Sequence, residues 1–394
     1  MAKNSFEKYN RGKLSEVTYK TFEVARKEKA FITFIAILTF ICGIVTPYTQ
    51  IAMWFGFCLA AYSAIANDSI QTIGTFIASN SHRKWWILWL FMGLIFLATV
   101  TYSWVVFDGD VSHQRLASKG FDVAPTSFSF LQLAAPILLL VLTRLRMPVS
   151  TSVLLLSAFS TEASSIGQIL TKSFSGYILA FFTAIIVWIL VSKYLSKFFK
   201  GKKPAKFWTP LQWVTSGALW SIWISQDAAN IAVYLPRSLG IYEFIGFAGF
   251  IFLGLGVLFY LKGDKIQGIV NEKSGVTDVR AATVVDLIYA CLLYYFKVIS
   301  TIPISTTWVF IGLLGGRELA IAISKKRDKK RSKSLKKAGS MVGRDLLYAT
   351  IGLILSLLLA LAINKDLRNE VLDTVSSSSK IEEVTPPSSA NIKD

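Results

Sequence analysis

Residues 66–71 read Ala66-Asn67-Asp68-Ser69-Ile70-Gln71, an acid between two amides inside a long apolar stretch. The arrangement returns at Ser225-Gln226-Asp227-Ala228-Ala229-Asn230, where one amide precedes Asp227 and a second follows it by three residues. A carboxylate at the centre of a membrane span costs roughly 2.5–3.5 kcal/mol on insertion scales and is functional by default. Each copy is followed by a proline and a run of hydroxyls. Pro148-Val149-Ser150-Thr151-Ser152 comes 80 residues after Asp68, and Pro303-Ile304-Ser305-Thr306-Thr307 comes 76 residues after Asp227. Two motifs that recur in the same order at nearly the same separation read as an internal repeat.

The sequence around these motifs is that of a membrane protein. Of its 394 residues 53% are apolar and 17% charged, and the mean hydropathy is +0.51. Soluble domains carry about a quarter charged residues, so an ordinary soluble enzyme is excluded on composition. Apolar segments of about 20 residues, the length of a bilayer span, begin near residues 30, 50, 85, 128, 149, 174, 208, 241, 281, 304 and 346. The net charge of +18 would by itself suggest nucleic acid. It is concentrated in three segments: eight Lys/Arg against four Glu in 1–30, six Lys in 193–206, and ten Lys/Arg against one Asp in 325–344. Basic segments between apolar spans follow the positive-inside rule instead. Cys42, Cys58 and Cys291 lie in apolar sequence and give neither a disulfide framework nor a metal-ligand spacing. His82 and His113 sit in short polar connections, which leaves no histidine-based catalytic or zinc site.

The charges orient the spans. Residues 1–30 contain no short apolar region followed by a small-residue cleavage site, and they read as a cytoplasmic N-terminal tail. His82, Arg83 and Lys84 are then inside, the Asp-rich connection 108–127 outside, and Arg144 and Arg146 inside. The Ser/Thr-rich segments beginning near 149 and 304 each follow a proline and are either crossing helices or re-entrant hairpins. A crossing at 149 places the Lys-rich linker inside, as its charge requires, so crossing is favoured. The same count puts 325–344 inside and the Ser-rich, disordered tail after 364 outside. The expected fold is an all-α polytopic membrane protein of about 11 spans. It comprises an extra N-terminal helix (31–49), a first repeat (50–192), a basic linker (193–207), a second repeat (208–364) and a tail (365–394). Five spans per copy is an odd number, so the repeats are expected to be inverted, with polar breaks near the midplane as in transporters.

The motifs suggest two kinds of ligand. Asp68 and Gln71 share a helical face, as do Asp227 and Asn230. With Asn67 and Gln226 they offer carboxylate and amide oxygens of the type a small hard cation prefers. Helix capping would account for either Asp alone, but not for flanking amides in both copies. Ser150, Thr151 and Ser152, with Ser305, Thr306 and Thr307, follow prolines at expected helix starts. Free N–H groups and hydroxyls there suit an oxyanion. The pocket so formed is expected to be neutral, with its positive charge supplied by the cation. Glu162 is expected to end a helix or to titrate, and Gly315-Gly316-Arg317-Glu318 to close a span at the cytoplasmic face.

Laid out together, the four motifs resemble the inorganic phosphate transporter (PiT) family. Its hallmark is a duplicated Gly-Ala-Asn-Asp-x-x-Asn motif with Pro-x-Ser-Thr-Thr motifs downstream. The likeness runs over about residues 50–365. Three positions depart from the pattern: no glycine precedes Ala66, Gln71 stands where the family usually has Asn, and Trp308 stands where many members have His. The resemblance implies a secondary active transporter in the cell membrane, not an enzyme. It would be a sodium-coupled phosphate symporter or, as in related permeases, a proton-coupled sulfate carrier. Asp68 and Asp227 would be the sodium ligands. Expected partners are inorganic phosphate or sulfate, sodium or protons, the lipid bilayer and a second copy in a homodimer. Neither a resident cofactor nor nucleic acid is expected. A membrane enzyme acting on lipid head groups should show clustered His, Asp and Arg at one interface, and these are missing. A non-transporting scaffold would not need the matched Asp pair.

Overall fold

Leu-, Ile- and Phe-rich stretches form helices in lipid because a helix satisfies every backbone N–H and C=O within itself. The computed structural model describes residues 28–194, 204–261, 278–299, 302–324 and 329–372, apart from the single positions 119, 146, 148, 161, 366, 370 and 371. The basic tail 1–27, most of the Lys-rich linker, Pro148 and the tail beyond 372 therefore lie outside the described residues. No strand occurs among those described.

The helices are α1 (Lys29–Val45), α2 (Thr49–Asn67), α3 (Ser69–Ser79), α4 (Trp85–Val106), α5 (Phe130–Arg144), α6 (Ala163–Tyr194), α7 (Trp208–Ala232), α8 (Ile241–Tyr260), α9 (Val279–Ile299), α10 (Thr306–Ser324) and α11 (Lys329–Ile363). Seven of them are long and apolar enough to cross a membrane, while α1 and α5 are apolar but shorter. Their outward faces carry large apolar side chains such as Leu94, Ile186, Leu253, Val257, Ile354 and Leu358, a pattern suited to lipid and costly in water.

Side-chain and backbone bonds define two ends of the bundle. At the first, the Leu239 N–H donates to Gly109 O, the Arg237 guanidinium donates to Phe121 O and Val123 O, and Asn364 donates to Ser160 O. At the second, Arg144 pairs with Glu28 at 2.6 Å. Asn80, just past α3, meets Gln212 and Trp213 near the start of α7. Consequently α2 enters from the first end and α7 from the second. Asp68 and Asp227 each lie 19 residues beyond the first residue of their helix, and they meet inside the bundle from opposite directions.

Three expectations need correction. The segment from 149 is not one 20-residue helix. Ser152–Leu156 is a short π-helical stretch, and the chain leaves it in a turn before α6 starts at Ala163. The segment nevertheless passes from end to end. Met147 follows the C-terminus of α5, and Ala158 O accepts a bond from Gln132 at its N-terminus. Second, Gly315–Glu318 does not close a span, because α10 continues to Ser324. A Cβ on Gly312 or Gly316 would collide with the backbone carbonyls of Tyr177 and Phe181, so these glycines allow α10 to lie close against α6. Third, most of the expected basic loop 325–344 is helical, forming the first turns of the 35-residue α11.

Candidate functional site

Asp68 sits at the junction of α2 and α3 with a helical backbone (φ −91°, ψ −28°), and its side chain is completely buried. Its Oδ1 accepts from Asn67 Nδ2 at 2.7 Å and from Gln71 Nε2 at 3.4 Å. Its Oδ2 accepts from the Thr151 hydroxyl at 2.6 Å. Asn67 is held in turn by Thr143, whose hydroxyl donates to Asn67 Oδ1 at 3.0 Å. Gln71 Nε2 also reaches Thr307 Oγ1 at 3.1 Å. The first acidic motif therefore touches both hydroxyl runs.

Asp227 is equally buried, within α7. Its Oδ1 accepts from Asn230 Nδ2 at 2.6 Å and from the Ser152 hydroxyl at 3.4 Å. Asn230 Nδ2 also lies 3.0 Å from Ser152 Oγ, and the same hydroxyl is 3.1 Å from Ile304 O. Gln226 Nε2 donates to Leu293 O at 3.1 Å. Thr306 is fixed by Trp223 Nε1 on its hydroxyl (3.3 Å) and by the Tyr289 hydroxyl on its carbonyl (2.9 Å). The two carboxylates are close enough to repel each other. All four motifs thus converge on one buried place.

Ser150 and Ser305 do something more local. Their hydroxyl oxygens accept from Val153 N–H (3.0 Å) and Trp308 N–H (3.2 Å), three residues on in each case. That is the capping geometry of a helix start. Ser305 N–H itself donates to Ser173 Oγ at 2.8 Å.

The donors and acceptors do not balance. Gln71 Oε1, Gln226 Oε1, Asp227 Oδ2 and Asn230 Oδ1 are buried, and no donor among the described residues reaches them. The amide orientations follow from their neighbours, since each Nε2 or Nδ2 faces an acceptor. An acceptor left unpaired in low dielectric costs about 1–3 kcal/mol. Three amide oxygens and one carboxylate oxygen left in this way are acceptors of the kind that a cation satisfies.

Sequence reasoning missed Asp286 of α9. It is 1% exposed, and its carboxylate accepts from Thr75 (2.7 Å) and Ser216 (2.5 Å). Ser216 connects through Gln212 and Asn80 to Trp213 at the second end. Asp286 has no repeated counterpart, but an acid in the run Val284-Val285-Asp286-Leu287-Ile288 was itself a signal.

No family model matches the chain, and no curated protein matches it. Among solved structures, one described as "The sodium-dependent phosphate transporter" is similar, with a TM-score of 0.51 and 17% sequence identity. The match covers 79% of this chain and 99% of the other. At that identity the likeness speaks for the fold and not for the site. The chain is an all-α, multi-pass membrane protein that shares the fold of that structure.

Proposed function

We propose that the protein is a secondary transporter of an inorganic oxyanion, with phosphate driven by sodium as the leading pair. The observation that carries this reading is the set of four unpaired buried oxygens, three of amides and one of Asp227, bordered by Asp68 and two hydroxyl runs. A sodium ion there would take oxygens from Asp68, Gln71, Gln226, Asp227 and Asn230, with Asn67 orienting Asp68. It would relieve the repulsion between the carboxylates. Thr306, Thr307 and the helix starts at residues 150–152 and 305–307 would then receive the anion's oxygens beside the bound cation. The cation and the anion each lower the electrostatic cost of the other, which is the basis of coupled transport. The matched entry of α2 and α7 from opposite ends supports an inverted repeat, and rocking of one repeat against the other would expose the site alternately.

The test is radiolabelled phosphate and sulfate uptake into proteoliposomes, with sodium and proton gradients imposed separately. Phosphate uptake that follows the sodium gradient supports the proposal. Sulfate uptake that follows only the proton gradient replaces it with a proton-coupled sulfate carrier, and no uptake of either anion overturns it.

A further inference from the structure

The helix α11 carries a surface that the carboxylate–hydroxyl site does not use. Its C-terminus lies at the first end, where Asn364 donates to Ser160 O, so its N-terminus lies at the second. A helix of 35 residues is about 52 Å long. The hydrocarbon core is about 30 Å thick, so roughly the first 15 residues stand at and beyond the lipid head groups of the second end. Lys333, Lys336 and Lys337 lie there, with Arg344 at the boundary, and all four are exposed.

Helical spacing gathers these cations on one side. At about 100° per residue, Lys333, Lys336, Lys337, Ser340 and Arg344 share a face that Leu347 and Ile351 continue, and every one of these residues is exposed. The opposite face, with Leu335, Ala338, Val342 and Ala349, is buried or half-buried, and Val342 packs toward Gly315 of α10. A single face of a continuous helix thus changes from basic to apolar between Arg344 and Leu347. The nearby acids point elsewhere. Asp345, the only acid of α11, is 8% exposed and lies about 100° round the helix from Arg344. Glu318 of α10 pairs with Arg317 at 2.9 Å. None of the four cations forms an ion pair with an acid among the described residues.

At the edge of the apolar part lies a cleft of about 170 Å³ between α6, α10 and α11, with Phe174, Tyr177, Trp308, Ile311, Leu346 and Thr350 in its walls. The Thr350 hydroxyl donates to Leu346 O at 2.9 Å, so the wall stays apolar. Gly343 sits between the cations and the cleft, and a Cβ there would meet nothing within 4 Å.

We propose that this face of α11 binds an anionic phospholipid. Lys333, Lys336, Lys337 and Arg344 hold the phosphate, and the acyl chains run over Gly343 along Leu347 and Ile351, one of them entering the cleft. A soluble anion would match the cations but not the apolar continuation of the same face. An anionic leaflet matches both, because cations near its surface are attracted to it while the exposed Leu and Ile stay in hydrocarbon. The site stands whether or not the chain moves an oxyanion.

The experiment is native mass spectrometry of the full chain in detergent, titrated with phosphatidylglycerol and, separately, with phosphatidylcholine. The wild type should retain phosphatidylglycerol at least tenfold more tightly, and added salt should reduce the preference. A cation near the surface is worth about fivefold, so K333Q/K336Q/K337Q/R344Q should lower the preference at least tenfold. K365Q/R368Q, which removes exposed cations beyond the other end of α11, should leave it unchanged. The replaced side chains are exposed, and a size-exclusion profile checks the fold; if the fourfold variant aggregates, K333Q/K336Q and K337Q/R344Q decide. Equal retention of the two lipids by the wild type overturns the site, as does an unchanged preference in the folded variants. Displacement of the bound lipid by glycerol 3-phosphate or by a short RNA also overturns it, in favour of a soluble anion.

Discussion

Asp68 and Asp227 occupy matched sequence positions but are not equally satisfied. Both oxygens of Asp68 receive donors, whereas Asp227 Oδ2 receives none. Replacing either by Asn keeps the size and removes the charge, so D68N and D227N should both lose gradient-driven uptake while retaining a folded profile on size exclusion. Two variants with normal uptake would remove the carboxylates from the mechanism. The hydroxyls also separate by role. Thr151 donates to a carboxylate, so T151V should weaken cation dependence. Thr307 accepts from Gln71 and bonds to neither carboxylate, so T307V should weaken anion affinity. A hydrogen bond to a charged group is worth about 1.5–3 kcal/mol, so each loss should be roughly ten- to a hundredfold; titrating uptake against each ion separates the two. The convergence of the twelve residues picked from the repeat was legible because acids, amides and hydroxyls stand out in apolar sequence. The partner that each takes was not, because it depends on which acceptor a hydroxyl meets across helices.

Among the elements, hydropathy placed the starts of most spans, because a run of about 20 apolar residues has few alternatives in lipid. It failed where composition and conformation part company. Residues 149–160 are as apolar as a regular span, but the helical part is a short π-helical stretch ended by a turn, with the Thr151 and Ser152 hydroxyls bonding across to Asp68, Asp227 and Ile304 O. Lysines 333–337 read as a loop, although Lys is a good helix former and nothing in 329–344 breaks the helix. The α6–α10 pair was not foreseen at all. A methyl added at Gly316 would press on Phe181 O, so G316A should lower the thermal midpoint in detergent by an amount equivalent to about 1–3 kcal/mol of overpacking. Gly343 meets nothing within 4 Å, so G343A serves as the control and should leave the midpoint unchanged or slightly raised. Equal midpoints for the two variants would show that the close approach of α6 and α10 does not matter to stability.

For the molecule as a whole, the charges predict orientation and the bonds between loops predict which loops share a side. Val123, 71% exposed, belongs to the first end, and His82 to the second. In a background lacking Cys42, Cys58 and Cys291, a cysteine at Val123 should react with an impermeant reagent from outside intact cells. One at His82 should react only after the membrane is opened. The reverse pattern would invert the assignment, and labelling of both from outside would contradict the two-ended fold. The central claim is that one buried site binds a cation and an oxyanion in mutual dependence. Its most direct test is the dissociation constant of phosphate, measured by titration calorimetry over a series of sodium concentrations at fixed pH, for the wild type and D227N. Phosphate should bind more tightly as sodium rises, and D227N should abolish that dependence. A phosphate affinity that ignores sodium in the wild type, or responds equally in D227N, would contradict it.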